Sequence, residues 1–98
     1  MENSTYKIID RNWRCRRGEI DIIAYEGKTL CFIEVKYRRT NDFGSPAEAV
    51  DLRKQKQLIF LARIYLSIKN PEFESIRFDV VEVTPSEIRL IRDAFRQD

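Results

Sequence analysis

Two apolar runs of the chain are interrupted by four charged side chains, three of which form a pattern that could support metal-dependent hydrolysis. Asp21 lies in the run over residues 18–24, and Glu34 and Lys36 lie in the run over residues 30–36. Because side chains alternate between the two faces of a strand, Glu34 and Lys36 point to the same face. Carboxylate oxygens are good ligands for Mg²⁺, and a nearby ammonium group can activate water or stabilise developing negative charge. The pattern predicts a site in which Asp21 and Glu34 hold Mg²⁺ or Mn²⁺ and Lys36 acts beside them.

The turn between the two runs decides whether these side chains meet. Both runs are rich in Ile, Val and Phe, as β-strands are, so residues 25–29 between them are predicted to form a hairpin turn. A two-residue loop of Gly27 and Lys28 suits a type II′ turn, which favours glycine at its first position. The resulting register predicts three cross-strand pairs: Glu26 with Thr29, Asp21 with Glu34, and Glu19 with Lys36. Like charges that face each other are destabilising, and a bound divalent cation would neutralise the two carboxylates.

Two other loops remain open. The first is a type I′ turn whose loop is Glu26-Gly27. It would place Asp21 opposite Phe32 and diagonal to Glu34, with the charges still on one face. The second is a three-residue loop, which would move Asp21 and Glu34 to opposite faces of the hairpin and abolish the site.

The roles of the neighbouring polar groups are also open. Glu19 is a candidate additional acid, or it simply pairs with Lys36. The carbonyl oxygen of Val35 is a candidate third metal ligand. A non-catalytic alternative is a ladder of cross-strand salt bridges on a solvent-facing sheet, with Glu19 and Lys36 among its members.

The composition describes a single domain over residues 1–98 and narrows the chemistry. Hydrophobic residues make up 43% of the chain and charged residues 35%, which is ordinary for a globular protein. The chain has no histidine, which excludes serine–histidine and cysteine–histidine nucleophiles and histidine-ligated zinc. Cys15 and Cys31 form no metal-binding or redox motif and are interpreted as structural residues. No apolar run approaches the roughly 20 residues of a membrane span, and no signal peptide is visible, so we expect a cytoplasmic protein with no membrane partner.

Positive charge gathers near the segments that carry the acidic residues. Eight basic residues are predicted to contact nucleic acid: Arg14, Arg16, Arg17, Arg38, Arg39, Arg53, Lys54 and Lys56. Such clustering is expected of a surface that meets phosphates, and scattered solvated arginines are the alternative. Arg53, Lys54 and Lys56 stand at the start of a predicted helix, where cations oppose the helix dipole. An anion at the helix N-terminus would account for them, and a solvated helix face is the alternative.

The remaining segments predict a mixed α/β fold. The predicted elements are strands over residues 6–13, 76–84 and 88–91, a basic connection over 14–18, a loop over 37–44 and a helix over 52–69. A helix that crosses between the strands 30–36 and 76–84 makes them parallel neighbours. We therefore expect a mixed five-stranded sheet with one main helix packed on it.

The main helix has start signals and a core stripe. Ser45 and Glu48 are predicted to form a capping box around Pro46. Asp51 offers a second cap, so a short helix is expected to break before the longer one. The core-facing stripe consists of Leu58, Leu61, Ala62, Tyr65 and Leu66. In the strand that follows, Asp79 is expected to pair with an arginine.

Several motifs together resemble the YraN-like family of bacterial proteins. They are Asn12-Trp13-Arg14, Gly18-Glu19-Ile20-Asp21-Ile22-Ile23-Ala24, Phe32-Ile33-Glu34-Val35-Lys36-Tyr37-Arg38, Phe43-Gly44-Ser45-Pro46-Ala47-Glu48-Ala49-Val50 and Arg77-Phe78-Asp79-Val80-Val81. The resemblance implies a restriction-endonuclease-like, PD-(D/E)XK core, similar to that of archaeal Holliday-junction resolvases. It implies that Asp21 is the first acid of the motif, Glu34 the second acid and Lys36 the lysine. Family members usually begin with a helix ahead of the first strand, and we expect that helix to be absent here.

The resemblance and the charge pattern together predict a Mg²⁺-dependent nuclease that acts on DNA, with branched DNA among the candidate substrates. A second hypothesis is a nucleic-acid-binding module whose catalytic equipment is incomplete. A third is a protein-interaction domain, for which a homodimer is the simplest form.

Overall fold

The computed structural model describes residues 5–97, except for the side chain of Ala47, and its elements follow the predicted order. They are β1 (Tyr6–Cys15), β2 (Gly18–Glu26), β3 (Thr29–Tyr37), a 3₁₀ helix (Pro46–Glu48), α1 (Leu52–Lys69), β4 (Ser75–Val83) and β5 (Ile88–Phe95). The five strands form one sheet in the order β1-β2-β3-β4-β5. β3 and β4 are parallel, and the other neighbours are antiparallel. The predicted mixed five-stranded sheet with one main helix is confirmed.

The helix α1 makes the parallel pairing of β3 with β4 sterically feasible. Parallel neighbours require a crossover connection, and α1 supplies it. The register of the pair runs from Thr29 with Ser75 to Tyr37 with Val83, so the two strands match along their whole length. In the described part of the chain, no helix is long and apolar enough to cross a membrane.

Both ends of α1 are capped by side-chain or backbone groups that the sequence supplies. The Asp51 carboxylate accepts the backbone N–H of Lys54 at 2.8 Å, as the predicted second cap should. Asn70 ends the helix in the left-handed region with φ 46°, and its N–H donates to the Leu66 carbonyl. The predicted capping box around Pro46 does not form. The Ser45 hydroxyl donates to the Glu48 carboxylate instead, and only a three-residue 3₁₀ helix results.

The main core lies between α1 and one face of the sheet. The buried residues of the predicted stripe are Leu58, Leu61, Ala62 and Tyr65, while Leu66 is half-buried against the same cluster. The Tyr65 ring makes edge-to-face contacts with Trp13 at 5.3 Å and with Phe32 at 5.8 Å between centroids. Such aromatic pairs add about 0.5–1.5 kcal/mol each beyond the area they bury. They fix the helix against β1 and β3, and β3 carries Glu34 and Lys36.

The turn between β1 and β2 is shorter than the sequence predicts. The expected connection over residues 14–18 shrinks to Arg16 and Arg17, because β1 continues to Cys15 and β2 begins at Gly18. Gly18 has φ 149°, and a Cβ there would lie 2.9 Å from the Gln57 amide nitrogen. A glycine is therefore needed where the turn passes close to α1.

A second, smaller cluster lies on the sheet face away from α1. It is formed by Tyr6, Ala24, Cys31, Ile33 and Val81. Cys31 is fully buried there, and burial raises the pKa of its thiol to about 12, so it is a structural residue as predicted.

A charge network closes one end of this second cluster. Arg77 donates to Asp79 at 2.9 Å and to Glu26 at 2.6 Å, so Asp79 pairs with an arginine as expected. The buried Asp79 carboxylate also accepts the Tyr6 hydroxyl at 2.6 Å. Arg92 of β5 donates to Glu26 through two nitrogens. The network ties the first hairpin to the last two strands.

Replacing Glu26 with Gln tests the contribution of this network. Hydrogen bonds from Arg92, Thr5 and Arg77 lower the pKa of Glu26 from 4.5 to about 2. A carboxyl group with a lowered pKa stabilises the fold above its unfolded pKa and loses that effect as the pH falls through its folded value. We expect Glu26→Gln to reduce the free energy of unfolding by about 1–3 kcal/mol at pH 7. The difference from wild type should shrink between about pH 5 and pH 2.

Urea unfolding followed by circular dichroism across this pH range measures the effect. Glu74→Gln is the matched control, because the Glu74 side chain makes only an exposed ion pair with Lys28 among the contacts described. A difference between wild type and Glu26→Gln that stays constant over the whole range would contradict the assignment.

Candidate active site

The hairpin turn has the loop that the leading register requires. Glu26 pairs with Thr29, which leaves Gly27 and Lys28 as the two-residue loop. Gly27 has φ 62°, and Lys28 is not among the residues with positive φ, as a type II′ turn requires. Ile22 pairs with Ile33 at the far end of the same register. The type I′ and three-residue loops are therefore wrong.

The two strands part just where the acidic residues begin. Backbone pairing of β2 with β3 ends at Ile22 and Ile33, one step before the predicted Asp21–Glu34 pair. Beyond that point, the Asp21 carboxylate accepts the backbone N–H of Val35 at 2.8 Å. The side chain of Asp21 thus takes the place of a strand carbonyl, and its position is fixed by the backbone of β3.

The Glu34 carboxylate lies beside Asp21 in a partly desolvated position. Burial raises the pKa of Glu34 to about 6, and the neighbouring Asp21 carboxylate adds to the rise. Lys54 of α1 opposes the shift, because its ammonium nitrogen lies 3.6 Å from Glu34 Oε2. A carboxyl group whose pKa is raised by burial and by a neighbouring carboxylate is a common feature of functional sites. The structure therefore brings Asp21 and Glu34 together, as predicted.

Lys36 lies on the same side of the sheet and is held in place. Its ammonium group donates to the Ala49 carbonyl at 2.8 Å, in the segment between the 3₁₀ helix and α1. The side chain is half-buried, which limits the number of orientations that it samples. Because an ammonium group has three N–H donors, two remain for other acceptors.

The predicted pairing of Glu19 with Lys36 is wrong. Glu19 accepts from Arg14 at 3.0 Å, within the β1–β2 hairpin. Lys36 donates to the Ala49 carbonyl, and Glu34 pairs with Lys54. Both partners lie outside the β2–β3 hairpin. The charges do not form the cross-strand ladder considered above, and nothing in the contacts of Glu19 links it to the acidic pair.

The donor set fits a hard divalent cation. In residues 5–97, no group of three or more histidine, cysteine, aspartate or glutamate side chains is arranged to hold a metal. Two carboxylates are nevertheless a normal protein contribution to a Mg²⁺ site, because Mg²⁺ retains several water ligands. Asp21 and Glu34 would hold the ion, and Mn²⁺ accepts the same oxygen ligands. The Val35 carbonyl remains a predicted third ligand.

The basic residues predicted to contact nucleic acid differ in their contacts. Arg16, Arg17, Arg39, Arg53 and Lys56 are exposed, and Arg17 lies over the ring of Phe60. Arg14 and Lys54 are bound to Glu19 and Glu34, respectively. Lys54 therefore belongs to the acidic site itself, which its position at the helix start did not indicate.

Arg38 has a structural contact that the sequence did not predict. It donates to the buried carboxylate of Glu82 at 2.6 Å, and Arg89 binds the other oxygen of the same group. Burial would raise the pKa of Glu82, but the two guanidinium groups hold it below its usual range. Arg89 also stacks on Phe43 at 4.3 Å and donates to the Gly44 carbonyl. This cluster anchors the loop between β3 and the 3₁₀ helix beside the site.

A small cleft adjoins Asp21. It has a volume of about 300 Å³ and is lined by Arg11, Asn12, Asp21, Ile22, Val35 and Tyr37. Of these residues, only Asp21 and, through its carbonyl oxygen, Val35 had been predicted to belong to a site. Exposed aromatic and amide side chains at the end of a strand give too weak a sequence signal to be recognised without the fold.

Comparison with known proteins places the chain in a family. Residues 1–83 match the Uncharacterised protein family UPF0102, and the chain belongs to that family, which confirms the YraN-like resemblance. A UPF0102 protein of Lachnoclostridium phytofermentans is 48% identical over 96 residues, which cover 97% of this chain and 81% of the relative. A UPF0102 protein of Symbiobacterium thermophilum is 50% identical over 97 residues, with coverage of 94% and 82%. A third, from Dictyoglomus thermophilum, is 49% identical over 86 residues, with coverage of 88% and 73%.

Two substitutions should move the pKa of Glu34 in opposite directions. Asp21→Asn removes a neighbouring negative charge while keeping an oxygen that can accept the Val35 N–H, so the pKa should fall from about 6. Lys54→Met removes the cation that opposes the shift, so the pKa should rise. Titration of the Glu34 side-chain carboxyl carbon by NMR measures both changes.

Glu19→Gln is the control for this experiment, because Glu19 pairs with Arg14 and should leave the Glu34 titration unchanged. If neither Asp21→Asn nor Lys54→Met shifted the Glu34 titration, the two carboxylates and the lysine would not form one electrostatic unit.

Proposed function

We propose that this protein is a Mg²⁺- or Mn²⁺-dependent phosphodiesterase that cleaves DNA, built on a restriction-endonuclease-like core. The observation that carries the proposal is the convergence of Asp21 and Glu34 where β2 and β3 stop pairing. Lys36 projects to the same side of the sheet and keeps two free N–H donors. This set of side chains meets the needs of metal-assisted hydrolysis and of few other reactions, because the chain contains no histidine.

Each of the three side chains has a role that its contacts support. Asp21 and Glu34 would hold the metal, which when bound would polarise the scissile phosphate and lower the pKa of a water molecule. Lys36 is kept close to them by the Ala49 carbonyl and would donate to the attacking water or to a phosphoryl oxygen. Lys54 neutralises Glu34 in the free protein and would contact substrate phosphate when the metal replaces it.

The architecture supports the finer fold assignment. The resemblance implies that Asp21, Glu34 and Lys36 are the two acids and the lysine of the PD-(D/E)XK motif. In this chain β2 and β3 carry the three residues, and α1 leads from β3 to the parallel β4. The motif Glu34-Val35-Lys36 occupies the end of β3 where β2 diverges from it.

Charge near the site favours nucleic acid as the substrate. Arg53 and Lys56 are exposed on the first turns of α1, and Lys54, from the same segment, reaches the acidic pair. Phosphates of a bound strand would lie between these cations and the site, where they also meet the positive end of the helix dipole. DNA in the bacterial cytoplasm is the substrate and location that we propose.

Cleavage assays with single substitutions test the catalytic assignment. We expect wild-type protein to cleave linear or branched DNA in Mg²⁺ or Mn²⁺ and to lose the activity in EDTA. Asp21→Asn, Glu34→Gln and Lys36→Met should each lower the rate by at least about 100-fold, because each removes a group that acts on the transition state. Products are resolved on denaturing gels.

Glu19→Gln serves as the matched control and should retain the rate within about threefold, since Glu19 contacts Arg14 and not the acidic pair. Cleavage that survives Asp21→Asn and Glu34→Gln would come from a contaminant and would contradict the catalytic roles assigned to these residues. DNA binding without any cleavage would instead favour a nucleic-acid-binding module with incomplete catalytic equipment.

The salt dependence of DNA binding tests the proposed phosphate contacts. Each phosphate neutralised on duplex DNA contributes about 0.9 to the slope of log K against log salt concentration. We expect Arg53→Gln combined with Lys56→Gln to reduce this slope by roughly 2, measured by fluorescence anisotropy in EDTA. Lys69→Gln, at the opposite end of α1, is the control and should leave the slope unchanged. An unchanged slope in the double variant would mean that the helix start does not meet the DNA.

A further inference from the structure

We propose that the cleft beside Asp21 binds an unpaired nucleobase next to the scissile phosphate, so that the preferred substrate contains single-stranded DNA. This inference rests on the proposed function and specifies its substrate. The starting observation is that the cleft and the acidic site share one residue, Asp21. A strand whose phosphate lay at the acidic pair would carry its adjacent nucleotide past the mouth of the cleft.

The cleft lies on the opposite side of the sheet from α1. Glu34 and Lys36 point to the helix side, where they contact Lys54 and Ala49. Because side chains alternate along a strand, Val35 and Tyr37 both point to the other face. At the point where β2 and β3 part, phosphate cleavage would therefore take place on the helix side of the sheet and base binding on the opposite side.

The exposure of Tyr37 is unusual for an aromatic residue in a central strand. The residue is 78% exposed, although β3 otherwise consists of buried or half-buried residues. A large aromatic ring at the end of a central strand, directly after Lys36, contributes nothing to the packing of either core cluster. It does offer a flat face, and stacking of a base on an aromatic ring contributes about 1–3 kcal/mol in single-strand-binding proteins.

The other wall of the cleft provides polar groups suited to a base. Arg11 supplies positive charge, and Asn12 supplies an amide that both donates and accepts hydrogen bonds. Asn12 has φ 52°, in the left-handed region, so the backbone of β1 departs from a regular strand here. Ile22 and Val35 form the apolar floor between the two walls.

The geometry selects an unpaired base over a base pair. In a duplex, each base is covered on both faces by its neighbours, so its face cannot reach Tyr37 unless the base leaves the stack. Unstacking is least costly where the base is already unpaired, as in single strands and flaps. A cleft of about 300 Å³ is at the lower end of the range for ligand pockets, which suits one base and not a longer segment.

Binding measurements in EDTA test this inference without requiring catalysis. The probes are a single-stranded oligonucleotide and a fully paired duplex of the same sequence, each carrying one 2-aminopurine and a terminal fluorophore. We expect Tyr37→Ala to weaken single-strand binding by about 5- to 100-fold and to abolish the quenching of 2-aminopurine that stacking causes. Tyr37→Phe should retain both properties, because the ring and not the hydroxyl carries the interaction.

Duplex binding should change by less than about twofold in Tyr37→Ala, because phosphate contacts dominate it. Phe73→Ala is the matched control, since Phe73 is another exposed aromatic side chain and lies at the opposite end of β3, near Lys28. Equal losses for both probes, no loss for either, or a wild-type protein that binds no single strand would each overturn the inference. A wild type that binds single strands through Tyr37 but never cleaves them would overturn only the proposed function.

Discussion

The arrangement of the acidic site depends on the hydrogen bond from the Val35 N–H to the Asp21 carboxylate. At 2.8 Å it replaces the backbone contact that would otherwise continue the β2–β3 ladder. The strands can part without leaving the Val35 N–H unsatisfied, and an unsatisfied buried N–H costs about 1–3 kcal/mol. The same bond fixes the orientation of the Asp21 carboxylate, because its acceptor oxygen is held by a rigid strand. The orientation of the Asp21 carboxylate as a candidate metal ligand thus follows from the requirement that buried backbone donors be paired.

Partial burial of Glu34 beside Asp21 creates a second constraint, because two neighbouring carboxylates repel each other. The molecule offsets this repulsion with Lys54 from α1, while Lys36 is held close by the Ala49 carbonyl. Both contacts connect the helix and its approach segment to the central strands. Beside the site, Arg38 and Arg89 neutralise the buried Glu82 and hold the loop between β3 and the 3₁₀ helix. Removing one partner from such a buried pair costs about 3–5 kcal/mol, so these charges also organise the fold.

The sheet separates two environments that serve different purposes. The face toward α1 contains the aromatic core and, at one end, the acidic pair. The opposite face contains a smaller apolar cluster, an arginine–carboxylate network and the cleft that holds Tyr37. Asp21 lies at the boundary between the two faces. The proposed cleavage of DNA and the proposed binding of an unpaired base rest on these two environments.

The sequence by itself determined the order of the elements and the parallel pair across α1. It favoured the Gly27-Lys28 loop, which brings Asp21 near Glu34, but left two other loops open. These follow from local rules, since strand alternation and turn chemistry depend on near neighbours. Only the tertiary structure decided that pairing would stop before Asp21, that Glu19 would bind Arg14, and that Lys54 and Tyr37 would flank the site. Those outcomes depend on which long side chains from distant segments can reach a buried charge or a backbone donor. Such choices depend on distance in space, which a linear pattern of residue types does not contain.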